Sequence, residues 1–297
     1  MKHLRKDFPA LMLDDPVAYL DNACVTLKPQ SVIDSIQDYY INTPGCGGRS
    51  VHRYGTHVSK SISQSRKKLA NFFSAPSVNE IVFTRNATHS LNQIAKGLEW
   101  NKGDVVLTTD REHNSNLVPW LQLEQEQGID HRVVRSNQDN TFNLESFEEA
   151  CAEAGTKLKM VSMSHVGNLD GVETPVKEIT KIAKDYGALV SIDGAQSAPH
   201  MSVDVQDLGI DFYSFSIHKM LGPSGLGGLW ARTELLENMR TIQSGGQTVT
   251  TATYESLKWA KPPSKFEGGL GHFAGMMATG AAVDYLTKLN MDEVHAH

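Results

Sequence analysis

Apolar residues follow two rhythms along this chain, and the two alternate. Short runs of β-branched and aromatic residues read as buried strands: Glu80-Ile81-Val82-Phe83-Thr84, Asp104–Thr108, His131–Arg135, Leu158–Met163, Leu189–Gln196, Asp211–Lys219 and residues 227–232. Between them, at 88–98, 114–127, 143–154 and 175–186, apolar positions return every three or four residues, as on one face of a helix. Upstream, Pro29 opens a helix over 30–41 with Val32, Ile33, Ile36 and Tyr39/Tyr40 on one face. A second, over 57–73, carries Val58, Ile62, Leu69 and Phe72/Phe73. Residues 18–22 read as a short strand, 42–50 and the stretch after the glycines of 244–247 as loop, and 274–289 as a last helix. Repeated strand–helix alternation predicts an α/β protein with a mostly parallel sheet flanked by helices.

Several strands deliver polar residues just past their C-terminal ends, the edge where α/β sheets bind ligands. Leu189–Gln196 carries Asp193 and Gln196 at its C-terminal end; Asp211–Lys219 carries Ser216 and His218 there and ends on Lys219. An acid and a lysine brought together there suit pyridoxal phosphate: the lysine holds it as a Schiff base and the acid pairs with the protonated pyridine nitrogen. Ala87 and Thr88 open the helix at 88, where free N–H groups and a hydroxyl can hold a phosphate, although Thr88 also suits a plain cap. His113 follows the strand 104–109 and can stack on a flat ring or trade protons; its plain reading is a solvated loop residue. Asn168 follows the strand 158–163 and can donate to a phenolate or carboxylate, while His165 beside it suits backbone satisfaction equally. The glycines from Gly222 to Gly228 run from strand to strand and open no helix, so they are no dinucleotide fingerprint.

The chain has 297 residues, 40% hydrophobic and 21% charged, with a net charge of −6, which points away from nucleic acid and anionic membranes. Cys24, Cys46 and Cys151 have no metal-type spacing, and their odd number suits a reducing cytoplasm better than a disulfide framework. No signal-peptide pattern follows Met1, and no apolar run reaches the ~18 residues of a membrane span.

Taken in order, these pieces make the chain resemble the class V aminotransferase group of fold-type I pyridoxal-phosphate enzymes, above all the SUF-type (group II) cysteine desulfurases and selenocysteine lyases. The resemblance rests on Tyr19-Leu-Asp-Asn-Ala23, Arg49-Ser-Val-His52, Phe83-Thr-Arg85 with Thr88, Glu112-His113 with Asn116-Leu-Val-Pro-Trp120, His165-Val-Gly-Asn168, Asp193-Gly-Ala-Gln196, Ser216-Ile-His-Lys219 before Gly222-Pro223, and Phe266-Glu267. It implies that Lys219 carries the cofactor and moves the α-proton. It further implies that Asp193 faces the pyridine nitrogen, Gln196 the phenolic oxygen and His113 the ring, as acid/base. Ala87, Thr88, Ser216 and His218 would hold the phosphate; Asn22, Ala23, His52 and Asn168 would line the substrate side. L-cysteine would yield L-alanine and an enzyme-bound persulfide for delivery, as to iron–sulfur clusters, by a homodimer with a sulfur-acceptor partner. A selenocysteine lyase, another enzyme on this scaffold and a non-catalytic cofactor-binding scaffold are the alternatives.

The sequence departs from the family at three places. Asn86-Ala87-Thr88-His89 has one hydroxyl fewer than the usual phosphate loop, and Gly268-Gly269-Leu270-Gly271 lacks the threonine that reaches the neighbouring subunit. The resemblance also carries a C-terminal small domain of about a hundred residues, with the nucleophilic cysteine and a carboxylate-binding arginine. Residues 1–297 hold no counterpart. The expected organisation is therefore an N-terminal extension (1–15), a cofactor-binding large domain (16–270) and a helix (271–297) leading to an absent domain, with cofactor binding but weak desulfuration. Cys24, next to Asn22-Ala23, is the candidate for a substitute thiol at the site mouth, against a plain reading as a small packing residue. Cys46 reads as a loop residue and Cys151 as core or surface.

Overall fold

Strand direction decides where the chemistry can collect. In the computed structural model of the protein, which describes residues 2–15 and 17–297, two 3-10 turns (Lys2–Asp7 and Pro9–Leu11) precede helices α1 (Gln30–Asn42) and α2 (Arg53–Phe72). Then follow β1 (Ile81–Thr84), α3 (Ala87–Gly97), β2 (Val105–Thr109), α4 (Asn114–Gln127), β3 (Asp130–Val134), α5 (Leu144–Ala154), β4 (Leu158–Ser164), α6 (Val176–Asp185), β5 (Leu189–Asp193) and β6 (Phe212–Ser216). The chain continues through β7 (Gly227–Ala231), α7 (Thr233–Asn238), β8 (Val249–Ala252), β9 (Leu257–Trp259), α8 (Phe273–Leu289) and α9 (Met291–Ala296).

Seven strands pair in the order β1-β7-β6-β5-β4-β2-β3. β6, β5, β4, β2 and β3 run parallel, and β7 is antiparallel to both its neighbours, so β1 points the same way as β6. Every strand of this sheet except β7 thus ends on one edge. Side chains alternate between the two faces. Ile81, Phe83, Val105, Leu107, Val161, Tyr213 and Phe215 pack under α2, α5, α6 and α8, while Val82, Val106, Met160, Phe212 and Leu229 pack under α3, α4 and α7. Each such fully buried side chain contributes ~1.5–3 kcal/mol by leaving water. Within this sheet only the edge strand β3 is substantially exposed, and it carries Asp130 and Arg132, charges that discourage edge pairing.

Helix α8 is buried nearly all round and packs on α1 and α2. Gly280 lets it approach α2: a Cβ there would lie 2.7 Å from Ser65 Oγ, which donates to Met277 O at 3.1 Å. Residues 273–289 therefore share the core of the body expected over 16–270. The N-terminal segment docks on the same helix, with Tyr285 Oη donating to Asp7 Oδ2 at 2.9 Å. Among the described residues no helix is long and apolar enough to cross a membrane.

Three sequence expectations fail here. Residues 18–22 form no strand. Among the described residues no strand pairs with them, and the backbone turns instead, Cys24 N donating to Asp21 O at 3.1 Å and Tyr19 Oη to Val25 O at 2.6 Å. Helix α2 begins at Arg53 rather than 57, because His52 takes the cap position with its Nδ1 3.5 Å from Gly55 N. The stretch after 244–247, expected as loop, forms the β8–β9 hairpin instead, and α7 and α9 left no signal in the sequence; all are too short or too exposed to show a period.

Candidate active site

A cavity of about 480 Å³ opens on the edge where the parallel strands end. β5 brings Asp193 to its floor, and the turn that follows presents Ala195 and Gln196. Only glycine fits between: a Cβ on Gly194 would fall 2.0 Å from the Tyr213 ring. β6 ends at Ser216, and a 3-10 turn, Ile217–Lys219, then carries His218 and Lys219 into the cavity wall. Lys219 thus sits on a turn past the strand rather than on its last residue. β1 leads into α3, whose first N–H, on Ala87, donates to Ser216 Oγ at 3.0 Å, while Asn86 Oδ1 caps His89 N at 2.9 Å. Thr88 stands beside them with its Oγ1 2.6 Å from Ser115 Oγ.

His113 lines the same cavity and caps α4, its Nδ1 accepting from Ser115 N at 3.1 Å. That bond leaves the neutral ring's proton on Nε2. Beneath it lies Glu112, a carboxylate that receives four donors: Thr109 Oγ1 (2.6 Å), Asn116 Nδ2 (2.7 Å), Ser164 Oγ (2.8 Å) and Ser164 N (3.1 Å). Glu112 therefore ties the end of β2, the start of α4 and the end of β4 into one unit. Asn168 reaches the cavity on a tight loop in which Gly167 N donates to Val172 O at 2.9 Å and Asp170 pairs with Arg111.

Burial sets the electrostatics. It pushes the Asp193 carboxyl up, against the pull of the Ala195 N–H and the Lys219 charge. It pushes the Lys219 amine down, with Asp193 and Cys24 opposing, so more of the neutral amine is available at neutral pH. His113 is lowered by burial and by Lys219, with Glu112 opposing, which keeps the ring neutral.

The cavity brings together Ala23, Ala87, Thr88, His113, Asn168, Asp193, Gln196, Ser216, His218 and Lys219. Asn22 faces an adjoining apolar groove of about 670 Å³ that also reaches Lys219. His52 stays outside both, exposed at the start of α2. Gln196 spends one Nε2–H on Ala23 O at 2.9 Å, so it anchors the substrate-side turn as well as facing the cavity. Ser115, Ser164 and Glu112 were missed; the pattern Glu112-His113-Asn114-Ser115-Asn116 held the only signal, a run of hydrogen-bonding residues after a buried strand.

His165 does not face this cavity. Its ring is buried, lines a separate cavity beside α8, and has an unpartnered Nδ1, and burial lowers its pKa to about 4. Between the ordinary value near 6.5 and about 4, the unfolded chain takes up a proton that the folded chain refuses. Its contribution is thus intact above the upper value and is lost as pH falls through that window, by up to ~3 kcal/mol. Urea unfolding at pH 7 and pH 5 is expected to show this loss in the native chain and a smaller one in His165→Asn.

Known proteins similar to this chain share its fold and sequence. The family model described as "Aminotransferase class-V" matches residues 18–297. Two relatives named "Probable cysteine desulfurase" cover 99% of this chain. One, from Halalkalibacterium halodurans, is 38% identical, with 73% of its own length matched; the other, from Streptomyces coelicolor, is 39% identical, with 72% matched. The apo structure of a cysteine desulfurase from Thermococcus onnurineus superposes with a TM-score of 0.93 at 33% identity, covering 99% of this chain and 72% of that one.

Proposed function

We propose that this chain, which belongs to the aminotransferase class-V family, is a pyridoxal-phosphate enzyme that takes sulfur from L-cysteine and leaves L-alanine. The observation that carries the reading is the meeting of Lys219 and Asp193 in one cavity at the strand ends. Its residues fit the cofactor. Asp193 is buried, and among the described residues its carboxylate accepts one hydrogen bond, at Oδ1 from Ala195 N at 3.0 Å, which leaves Oδ2 for a protonated ring nitrogen. The start of α3, with the Ala87 N–H, the Thr88 hydroxyl and Ser216, suits a phosphate.

When bound, pyridoxal phosphate supplies the electron sink for a carbanion at the substrate Cα. The chain's own residues would handle the Cα proton and the substrate. Lys219 Nζ would hold the cofactor and stands where it can take the Cα proton, and its lowered pKa keeps more of the amine neutral. His113 offers Nε2–H from a ring fixed by Ser115 and supported by Glu112. Asn168 and the Ala23 turn, held by Gln196, border the substrate side. Alanine release from L-cysteine, measured against selenocysteine, tests the substrate.

Cys24 is the one cysteine that lines the cavity, and it is exposed. Cys46 is half-buried, and burial pushes the Cys151 thiol up to about 12. At neutral pH iodoacetamide is expected to label Cys24 first and Cys151 only after unfolding, read by peptide mass. Equal labelling of both would contradict this placement.

Assembly, partner and compartment are part of the same proposal. A second copy would cover the cavity of about 830 Å³ behind the start of α3, where Gly268–Gly271 and Gln247 lie beside Asn86 and His89. Isologous pairing is the commonest oligomeric arrangement, and light scattering at micromolar concentration reads it. An acceptor protein would collect the sulfur, and unpaired thiols suit the cytoplasm.

A further inference from the structure

The turn that carries Lys219 is held from outside by a segment that does not follow it in sequence. The His218 carbonyl, which belongs to the peptide joining His218 to Lys219, accepts three donors: Thr26 N at 3.2 Å, Thr26 Oγ1 at 3.0 Å and Lys28 Nζ at 2.8 Å. Lys28 Nζ also donates to Thr26 O at 2.6 Å. Thr26 Oγ1 in turn accepts from Leu221 N at 3.0 Å. Leu221 has φ +60, a left-handed conformation that is costly for a leucine and persists only where its surroundings impose it. The far side of the turn is closed by Gly222 N on Ile217 O at 3.0 Å.

Lys28 is an unusual residue for this task. Among the described residues it forms no ion pair; its partners are neutral oxygens. Burial accordingly lowers its pKa to about 8. A lysine with no acid, aimed at the peptide of another lysine, is poorly explained as surface charge.

We propose that Lys28, with Thr26, is a positioning residue for Lys219: it pins the peptide plane from which Lys219 projects and sets a positive charge beside the His218–Lys219 turn. This rests on the pyridoxal-phosphate reading above. Within the turn the charge acts on His218, whose pKa is lowered by burial, by Lys219 and by Lys28.

The test uses the full chain, with and without pyridoxal phosphate, and the variants Lys28→Met and Lys28→Gln. Amide exchange is read across Ile217–Gly222 and in β6 and β5. Lys28→Met is expected to speed exchange in the turn by about tenfold or more while the strands keep native protection. Lys28→Gln, which retains a donor, should recover most of that protection. In the loaded chain, the pH midpoint of the visible absorption band is expected to move in Lys28→Met, because Lys219 then projects from a peptide that is no longer pinned, and to move less in Lys28→Gln. Native exchange in the turn of Lys28→Met overturns the proposal. So does loss of protection spreading into β5 and β6, which makes Lys28 a general stabiliser. An unmoved midpoint confines Lys28 to packing and overturns its role towards Lys219. Absence of any visible band in the native chain would count against the cofactor reading instead, and the exchange measurement without cofactor would still decide the role of Lys28.

Discussion

Lys219→Ala is expected to give a colourless protein that folds normally and no longer exchanges the Cα proton of bound amino acids. Lys219 is the one lysine that lines the strand-end cavity, so nothing else there can replace its amine. Loss of a positioned proton-transfer group costs on the order of 10²–10⁴-fold in rate, and here the same group also holds the cofactor. Borohydride treatment of the native chain should fix the cofactor on the peptide containing Lys219, with no label in the variant. Label on another lysine, or proton exchange within tenfold of native in Lys219→Ala, would remove this assignment. Folding should be unharmed, because a half-buried ammonium is released from desolvation and only one side chain is shortened.

Asp193→Asn is the second large effect, and it should separate binding from stability. The carboxyl is raised by burial and accepts one N–H at Oδ1. Holding a buried charge is costly to the fold, so the amide of equal size should leave the cofactor-free chain as stable as the native one, or more so. A cofactor whose ring nitrogen is protonated loses its counter-charge, however, and truncating one side of a buried charge pair weakens binding by about 2–5 kcal/mol. Equilibrium dialysis of pyridoxal phosphate and thermal melts of the cofactor-free chain measure the two halves. Native affinity together with native proton exchange in Asp193→Asn would mean that Asp193 does not face the ring nitrogen.

What could be read ahead from sequence follows from how local each signal is. Helix α4 occupies the predicted residues 114–127 because both its ends are marked by side chains in sequence: His113 caps the start and Gly128, at φ +71, closes the end. Asp193, Ser216 and Lys219 were legible because each follows a buried apolar run, and a parallel sheet brings such ends to one edge. Glu112 was not, since a carboxylate in a sequence reads as solvated; only the fold supplies its four donors. Thr26 and Lys28 were invisible for the same reason, their partner lying at His218. His52 was placed in the site by resemblance alone, and its ring is exposed at the head of α2 instead.

The strap between Lys28 and His218 spans 190 residues of chain, and this has a consequence for biosynthesis. At ribosomal rates of ~5–20 residues per second, Thr26 and Lys28 leave the ribosome about 10–40 s before the carbonyl they bind. Helix α1 waits longer still, because Val32 packs against Ala278 and Ala282 of α8. A half-made chain therefore exposes the apolar face of α1 and cannot grip its cofactor, so pyridoxal phosphate can stabilise only finished molecules. Cofactor supply should accordingly change how long completed chains survive in the cell, and not how often nascent ones fold.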